Sequence, residues 1–213
     1  MWSFLRAGSL GLVLASGIVM SAGAQQHPAA GLPLPRTSLS DAEQARAVQA
    51  ASPQGPIASP SQLHPDSSRA SGTDRVVVSR VQSVGADKTD QRLAVVTLYE
   101  YESNTTVNRL VDVNSGAVIE EDRQQGSGAP VATVEGQYAE SLLRADARVR
   151  KLLEPFQGNA TFSLLLTTTE DRSSPLYGKR VLSAIISTPE GFLTGGPRIS
   201  VNLTDAAVIV QPR

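Results

Sequence analysis

The sequence predicts an α+β protein with helices packed on antiparallel meander sheets, and three observations carry that prediction. First, the stretch from Arg92 to Arg123, RLAVVTLYEYESNTTVNRLVDVNSGAVIEEDR, returns about ninety residues later as KRVLSAIISTPEGFLTGGPRISVNLTDAAVIV. In both copies an Arg opens an apolar run, a polar link follows, and a β-branched strand passes through a short polar turn into a last apolar segment. Val111 to Ile119 match Val201 to Ile209 position by position, so the prediction includes an imperfect internal duplication. Second, RISVNL alternates, with Ile199, Val201 and Leu203 facing inward and Arg198, Ser200 and Asn202 facing water. Third, Tyr138, Leu142, Ala145, Val149 and Leu152 recur at steps of three and four, the spacing of an amphipathic helix with one apolar stripe.

Composition sets the bounds. At 213 residues the chain holds one or two domains, and 40% apolar with 4% aromatic content means a core built on Val, Leu, Ile and Ala. A net charge of -1 argues against a general polyanion binder, so no nucleic-acid partner is expected. The absence of Cys excludes disulfides, thiolate nucleophiles and Cys-ligated metals. Arg6, the short apolar run Ser9 to Met20 and the small residues Ala22-Gly23-Ala24 predict a signal peptide over residues 1–24, cleaved after Ala24. The expected location is a bacterial periplasm or the medium, with no stable membrane insertion after cleavage, because the run is shorter than a spanning helix.

The elements follow in order. Residues 25–38 read as a flexible leader. Ser40-Asp41-Ala42-Glu43 fits a capping box, Ala-rich sequence continues the helix, and Pro53 ends it. Residues 52–73, with prolines at 53, 56, 60 and 65, read as a flexible loop or linker. Both histidines, His27 and His64, fall in irregular segments that offer no rigid shell for catalysis or metal binding. Arg75 to Val84 and Arg92 to Glu102 are strands, and the second ends on Tyr99-Glu100-Tyr101-Glu102. Alternation puts Tyr99 and Tyr101 on one face, a candidate interaction platform, and the two acids on the other.

Asn108 to Val113 and Ala117 to Asp122 form a hairpin through Asn114-Ser115-Gly116, where Gly supplies positive φ. A polar stretch leads into one helix, capped by Thr133 or a neighbour and ending before Pro155. Its polar side carries Glu140, Arg144, Arg148 and Lys151; the strip Arg144, Arg148 and Lys151 is the second candidate interaction surface, for an anionic surface or partner. Phe162, Leu164 and Leu166 then alternate into the second meander. The expected division is a first α+β module over 39–156 and a second β-rich module or sheet extension over 157–213.

No catalytic, cofactor-binding or metal-binding residue is expected. A serine triad needs a positioned His. The acids Glu120-Glu121-Asp122 and Glu170-Asp171 sit on exposed turns, and no GxGxxG follows a strand.

Leu39 to Glu43, Val111-Asp112-Val113, Pro130, Glu135 and Arg144-Ala145-Asp146 together resemble the pattern of the non-catalytic N-terminal domain of copper amine oxidases, over residues 39 to 154. The resemblance implies a cystatin-like fold followed by a second domain of the same kind. It carries over no oxidase residue: Tyr99, Tyr101, Tyr138 and Tyr177 all lack the preceding Asn of the family's quinone site, and the sequence contains no match to its copper histidines. The VDVNSGAVI hairpin also resembles the close of PepSY domains, regulatory modules associated with exported peptidases. The expected function is therefore an exported, non-enzymatic binding or structural module that contacts a periplasmic or extracellular protein. The alternatives are a carrier of an apolar small ligand, with its pocket between helix and sheet, a PepSY-like peptidase regulator, and an unrecognised hydrolase.

Overall fold

The computed structural model describes residues 38–67, 74–85, 91–126, 128–157 and 159–212, all within the compact unit Pro33–Arg213. The expected signal peptide and residues 25–37 of the leader lie outside the described residues. Helix α1 (Asp41–Ala51) begins at the capping box: Glu43 N–H donates to Ser40 Oγ at 3.3 Å, and the Glu43 carboxylate accepts from Ser40 N–H at 2.7 Å. Two of the helix's free amides are thereby satisfied, which offsets its weakly apolar sequence. Its Ala47 and Ala51 are fully buried with Val96, Leu98, Val107 and Val111 of the first sheet.

That sheet is an antiparallel meander of β1 (Val76–Gly85), β2 (Arg92–Glu100), β3 (Thr105–Asp112) and β4 (Ala117–Gln125), in that spatial order. Helices α2 (Thr133–Ala145) and α3 (Ala147–Leu153) come next. A separate second sheet follows, built of β5 (Thr161–Thr167), β6 (Val181–Thr188), β7 (Gly191–Phe192), β8 (Arg198–Asn202) and β9 (Ala207–Gln211). Its order is β5-β6-β8-β9, with the two-residue β7 paired to β6. The fold is thus mixed α and β with two antiparallel sheets, each entered from a helical segment. The paired stretches seen in the sequence close in the same way: Val113 N–H donates to Arg92 O, and Leu203 N–H donates to Arg180 O, both at 2.8 Å.

Several expectations need correction, each for a physical reason. The single helix over 133–154 is two helices, because Asp146 takes an extended ψ of 126° and its carboxylate caps α3, accepting from Arg148 N–H at 2.8 Å and Val149 N–H at 3.3 Å. The buried stripe is accordingly Tyr138, Ala139, Leu143, Val149 and Leu153; Leu142 and Leu152 are only half-buried and Ala145 is exposed. This stripe shares a core with Leu182, Ile199, Val201 and Leu203 of the second sheet, so a division at 156/157 would part the helices from the strands they cover.

Strand β4 runs through the polar residues to Gln125, exposed at every position, because a strand at a sheet edge with both faces wet needs no apolar alternation. Inside the Pro-rich segment, Pro60–Leu63 forms a 3₁₀ turn that buries Leu63 completely, and Ile57 N–H donates to Val76 O at 2.8 Å. Asn202, read as facing water, is buried because it holds the following turn, donating to Asp205 at 2.8 Å.

Candidate functional site

The most constrained side chains sit where each helix start meets the Arg that opens a strand. At α1, Arg92 Nε donates to Glu43 at 2.9 Å and Nη2 to Ser38 O at 2.7 Å. At α2, Arg180 Nε and Nη2 each donate to Glu135 at 2.8 Å, Nη2 donates to Pro130 O at 2.9 Å, and Nη1 donates to Ala129 O at 2.8 Å. In both places the Glu lies in the first turn and accepts the N-cap amide, Ser40 N–H in one and Ala132 N–H in the other, at 2.7 Å. The capping residue at α2 is Ala132, the neighbour before Thr133, which has no side-chain acceptor, so Glu135 alone supplies the side-chain cap.

The two clasps differ in environment. Arg92 and Glu43 keep about a quarter and a fifth of their side-chain surface, whereas Arg180 and Glu135 keep none. Two tyrosines complete the buried one. Tyr101 donates its hydroxyl to Glu135 at 2.6 Å, and Arg180 lies 4.4 Å over the Tyr99 ring, which meets Tyr101 edge-on at 4.9 Å. A second arginine, Arg75, stacks 4.7 Å over Tyr101, pairs with Glu102 at 2.9 Å, and donates to Leu63 O and Thr204 O. It thereby ties β1, the 3₁₀ turn and the β8–β9 turn together.

Burial pushes the Tyr99 phenol up to about 12 despite the cation beside it. Burial, followed by the Glu135 charge, pushes Tyr101 well above its usual value. At Arg180 burial opposes the charge, but the hydrogen bonds and charge of Glu135 outweigh it, and the pKa rises.

The predicted site residues fall into this frame as follows. Tyr99 and Tyr101 do share a side, but they are 0% and 3% exposed, so they form a buried joint and not a ligand platform. The alternation was sound, but the face it marked turns inward toward α2. Arg144 pairs with Glu140 at 2.7 Å, lies 5.1 Å over the Phe162 ring and donates to Ala160 O. Arg148 pairs with Asp146 and donates to Val208 O at 2.8 Å. These two cations bind the helices to β5 and β9, and Lys151 is exposed. The clasps were missed, although Glu43, Arg92, Glu135 and Arg180 stand at corresponding places in the repeated pattern. Glu four residues after an apolar residue at a helix start, with an Arg opening the second strand of each meander, was the available signal.

The concave regions have mixed polar and apolar linings, and several of their charged side chains are paired. A cleft of about 610 Å³ is lined by the Ser52 to Ile57 loop, Arg75, Glu100 and Arg109. Arg109 in turn pairs with Glu121 at 2.7 Å and Glu100 with Arg123. The space between the α2–α3 layer and the second sheet, where an apolar-ligand carrier would hold its cargo, is filled by Tyr138, Leu143, Val149 and Leu153 against Leu182, Val201 and Leu203. Among the described residues, no helix is long and apolar enough to cross a membrane.

The outward face of the second sheet is different in kind. Leu165, Ile185 and Phe192 lie there at 54%, 41% and 70% exposure, more than isolated surface contacts require. Pairing makes them neighbours: Ser163 faces Ile185, Leu165 faces Ser183, and Ser187 faces Phe192. Beside them, toward the start of β6, runs a row of hydroxyls, Thr167, Ser183 and Ser200, linked at 2.8 and 3.4 Å.

No protein-family model matches the chain, and no curated protein matches it.

Proposed function

We propose that this chain is an exported, non-enzymatic binding module, made of two copies of one helix-on-meander unit, that acts through protein–protein contact on the outward face of its second sheet. The observation that carries the reading is that face: apolar Leu165, Ile185 and Phe192 set among small hydroxyls, with no helix laid over it among the described residues. An exposed apolar group with a polar rim, here the hydroxyls and the exposed Arg198, is the composition of a protein-binding surface. The buried polar groups at the joint hydrogen-bond to one another, which suits a scaffold that holds the sheets rigid.

The duplication is supported by the corresponding clasps and closing bonds, which recur with the same donors and acceptors at both helix starts. A cystatin-like reading agrees with that order of elements, as does the resemblance to copper amine oxidase N-terminal domains. The experiment is a pull-down from periplasmic extract with the wild-type chain and an Ile185→Asp/Phe192→Asp variant of unchanged thermal stability. We expect a protein held by the wild type and lost by the variant. An identical set of retained proteins would remove the face from consideration.

A further inference from the structure

We infer that β5 pairs with β5 of a second copy, joining two second sheets across a two-fold axis at Leu164. The inference concerns the sheet's edge and stands apart from the reading of its face. The described structure has four sheet edges, and three carry the features that keep an edge from pairing. Strand β4 bears Glu120, Glu121, Asp122 and Arg123, exposed throughout. Strand β1 has a register shift between Val78 and Arg80, and the Pro-rich segment bonds to its first residue. Strand β9 has its Val208 carbonyl taken by Arg148. Strand β5, TFSLLLT, has no charge, proline or register shift over seven residues. Arg144 takes the carbonyl of Ala160, immediately before it, and lies over the inward-facing Phe162 ring, while within the strand Thr167 Oγ1 makes a long 3.4 Å contact with Leu165 O; no other element donates to or accepts from the described backbone edge of β5.

The sequence of β5 also matches itself. Antiparallel pairing about Leu164 sets Thr161 against Thr167, Phe162 against Leu166, Ser163 against Leu165, and Leu164 against its own copy. This register uses all seven residues and keeps side-chain parity. Phe162, Leu164 and Leu166, which face the core but are only half-buried at the edge, meet the same three residues of the other copy. Thr161, Ser163, Leu165 and Thr167, exposed now, meet on the outward face. A charged partner strand would gain nothing from an edge without charge, whereas a second copy completes both faces at once.

The test uses the chain as the cell processes it, in sedimentation equilibrium over a concentration series. The wild type should show a species of twice the monomer mass. In an S163K/L165K variant, like charges stand opposite each other at two symmetric places, and dimer affinity should fall roughly tenfold or more. In S163K/L165E, opposite charges face each other at both places, and the dimer should return. Because the chain has no Cys, an L164C variant supplies an independent reading: mild oxidation should cross-link it, whereas an S163C variant should cross-link poorly. A wild type that stays monomeric overturns the inference. So does equal dimerisation by the two charge variants, or equal cross-linking by the two Cys variants. The Ile185→Asp/Phe192→Asp variant leaves β5 intact and should dimerise normally, so failure of the face and failure of the edge are separate results.

Discussion

Replacing Glu135 with Leu tests the buried clasp most directly. The carboxylate accepts four hydrogen bonds: two of 2.8 Å from Arg180, one of 2.6 Å from the Tyr101 hydroxyl and one of 2.7 Å from Ala132 N–H. Removing it leaves a fully buried guanidinium without its countercharge and takes the only side-chain cap from α2. Breaking a buried pair on one side costs about 3–5 kcal/mol, because the remaining charge has lost both water and partner. For a unit of this length that corresponds to a fall in Tm of roughly 6–20 °C. The Arg180→Met/Glu135→Leu variant carries no buried charge, and its loss should be well below the sum of the two single losses.

Urea unfolding of the wild type, both single variants and the double variant completes the cycle. The matching change at the half-exposed clasp, Glu43→Leu, should shift the midpoint much less, since water can solvate Arg92 when its partner is gone. If Glu135→Leu cost no more than about 1 kcal/mol, or if the two single losses simply added, the pair would not be the enclosed joint described above.

The partly exposed clasp should instead be visible in pH dependence. The hydrogen bond from Arg92, followed by that from Ser40 N–H, holds the Glu43 carboxyl at about 2, below its ordinary 4.5. A folded-state pKa below the unfolded one adds stability above pH 4.5 that disappears as the pH falls toward 2. The gap in urea midpoint between wild type and Glu43→Gln should therefore be full near neutrality and shrink through that window; a constant gap would contradict the assignment. At the two corresponding hairpin turns, Gly116 has φ of +70° and Ala206 has φ of +54°. Gly116→Ala meets no atom within 4 Å, so its expected loss of about 1 kcal/mol is conformational alone, whereas Ala206→Gly should be neutral or stabilise by up to about 1 kcal/mol. Thermal melts that moved in the opposite directions would refute the left-handed assignment of these turns.

Much of the fold was legible because it is local. The capping box at Ser40 and Glu43, the strand alternation of Ile199, Val201 and Leu203, and the positive-φ Gly116 turn all depend on residues within a few positions of one another. The helix break was also local and was passed over: Asp146 interrupts a periodic stripe, and its competition for the α3 amides outweighed the apolar spacing on either side. The candidate site was less legible. Alternation told that Tyr99 and Tyr101 point the same way, but not that α2 and Arg180 lie on that side.

Periodicity, capping and turn chemistry act through neighbours along the chain, so the strand runs, the start of α1 and the Gly116 turn are readable from the residues alone. Which faces are covered depends on packing between segments far apart in the chain. The Arg180–Glu135 bond joins residues 45 apart, and the cost of breaking it comes from the water both ends have already lost, a property of the packed interior. For the same reason the unguarded edge of β5 became visible only once the other three edges were seen to be charged, interrupted or tied down.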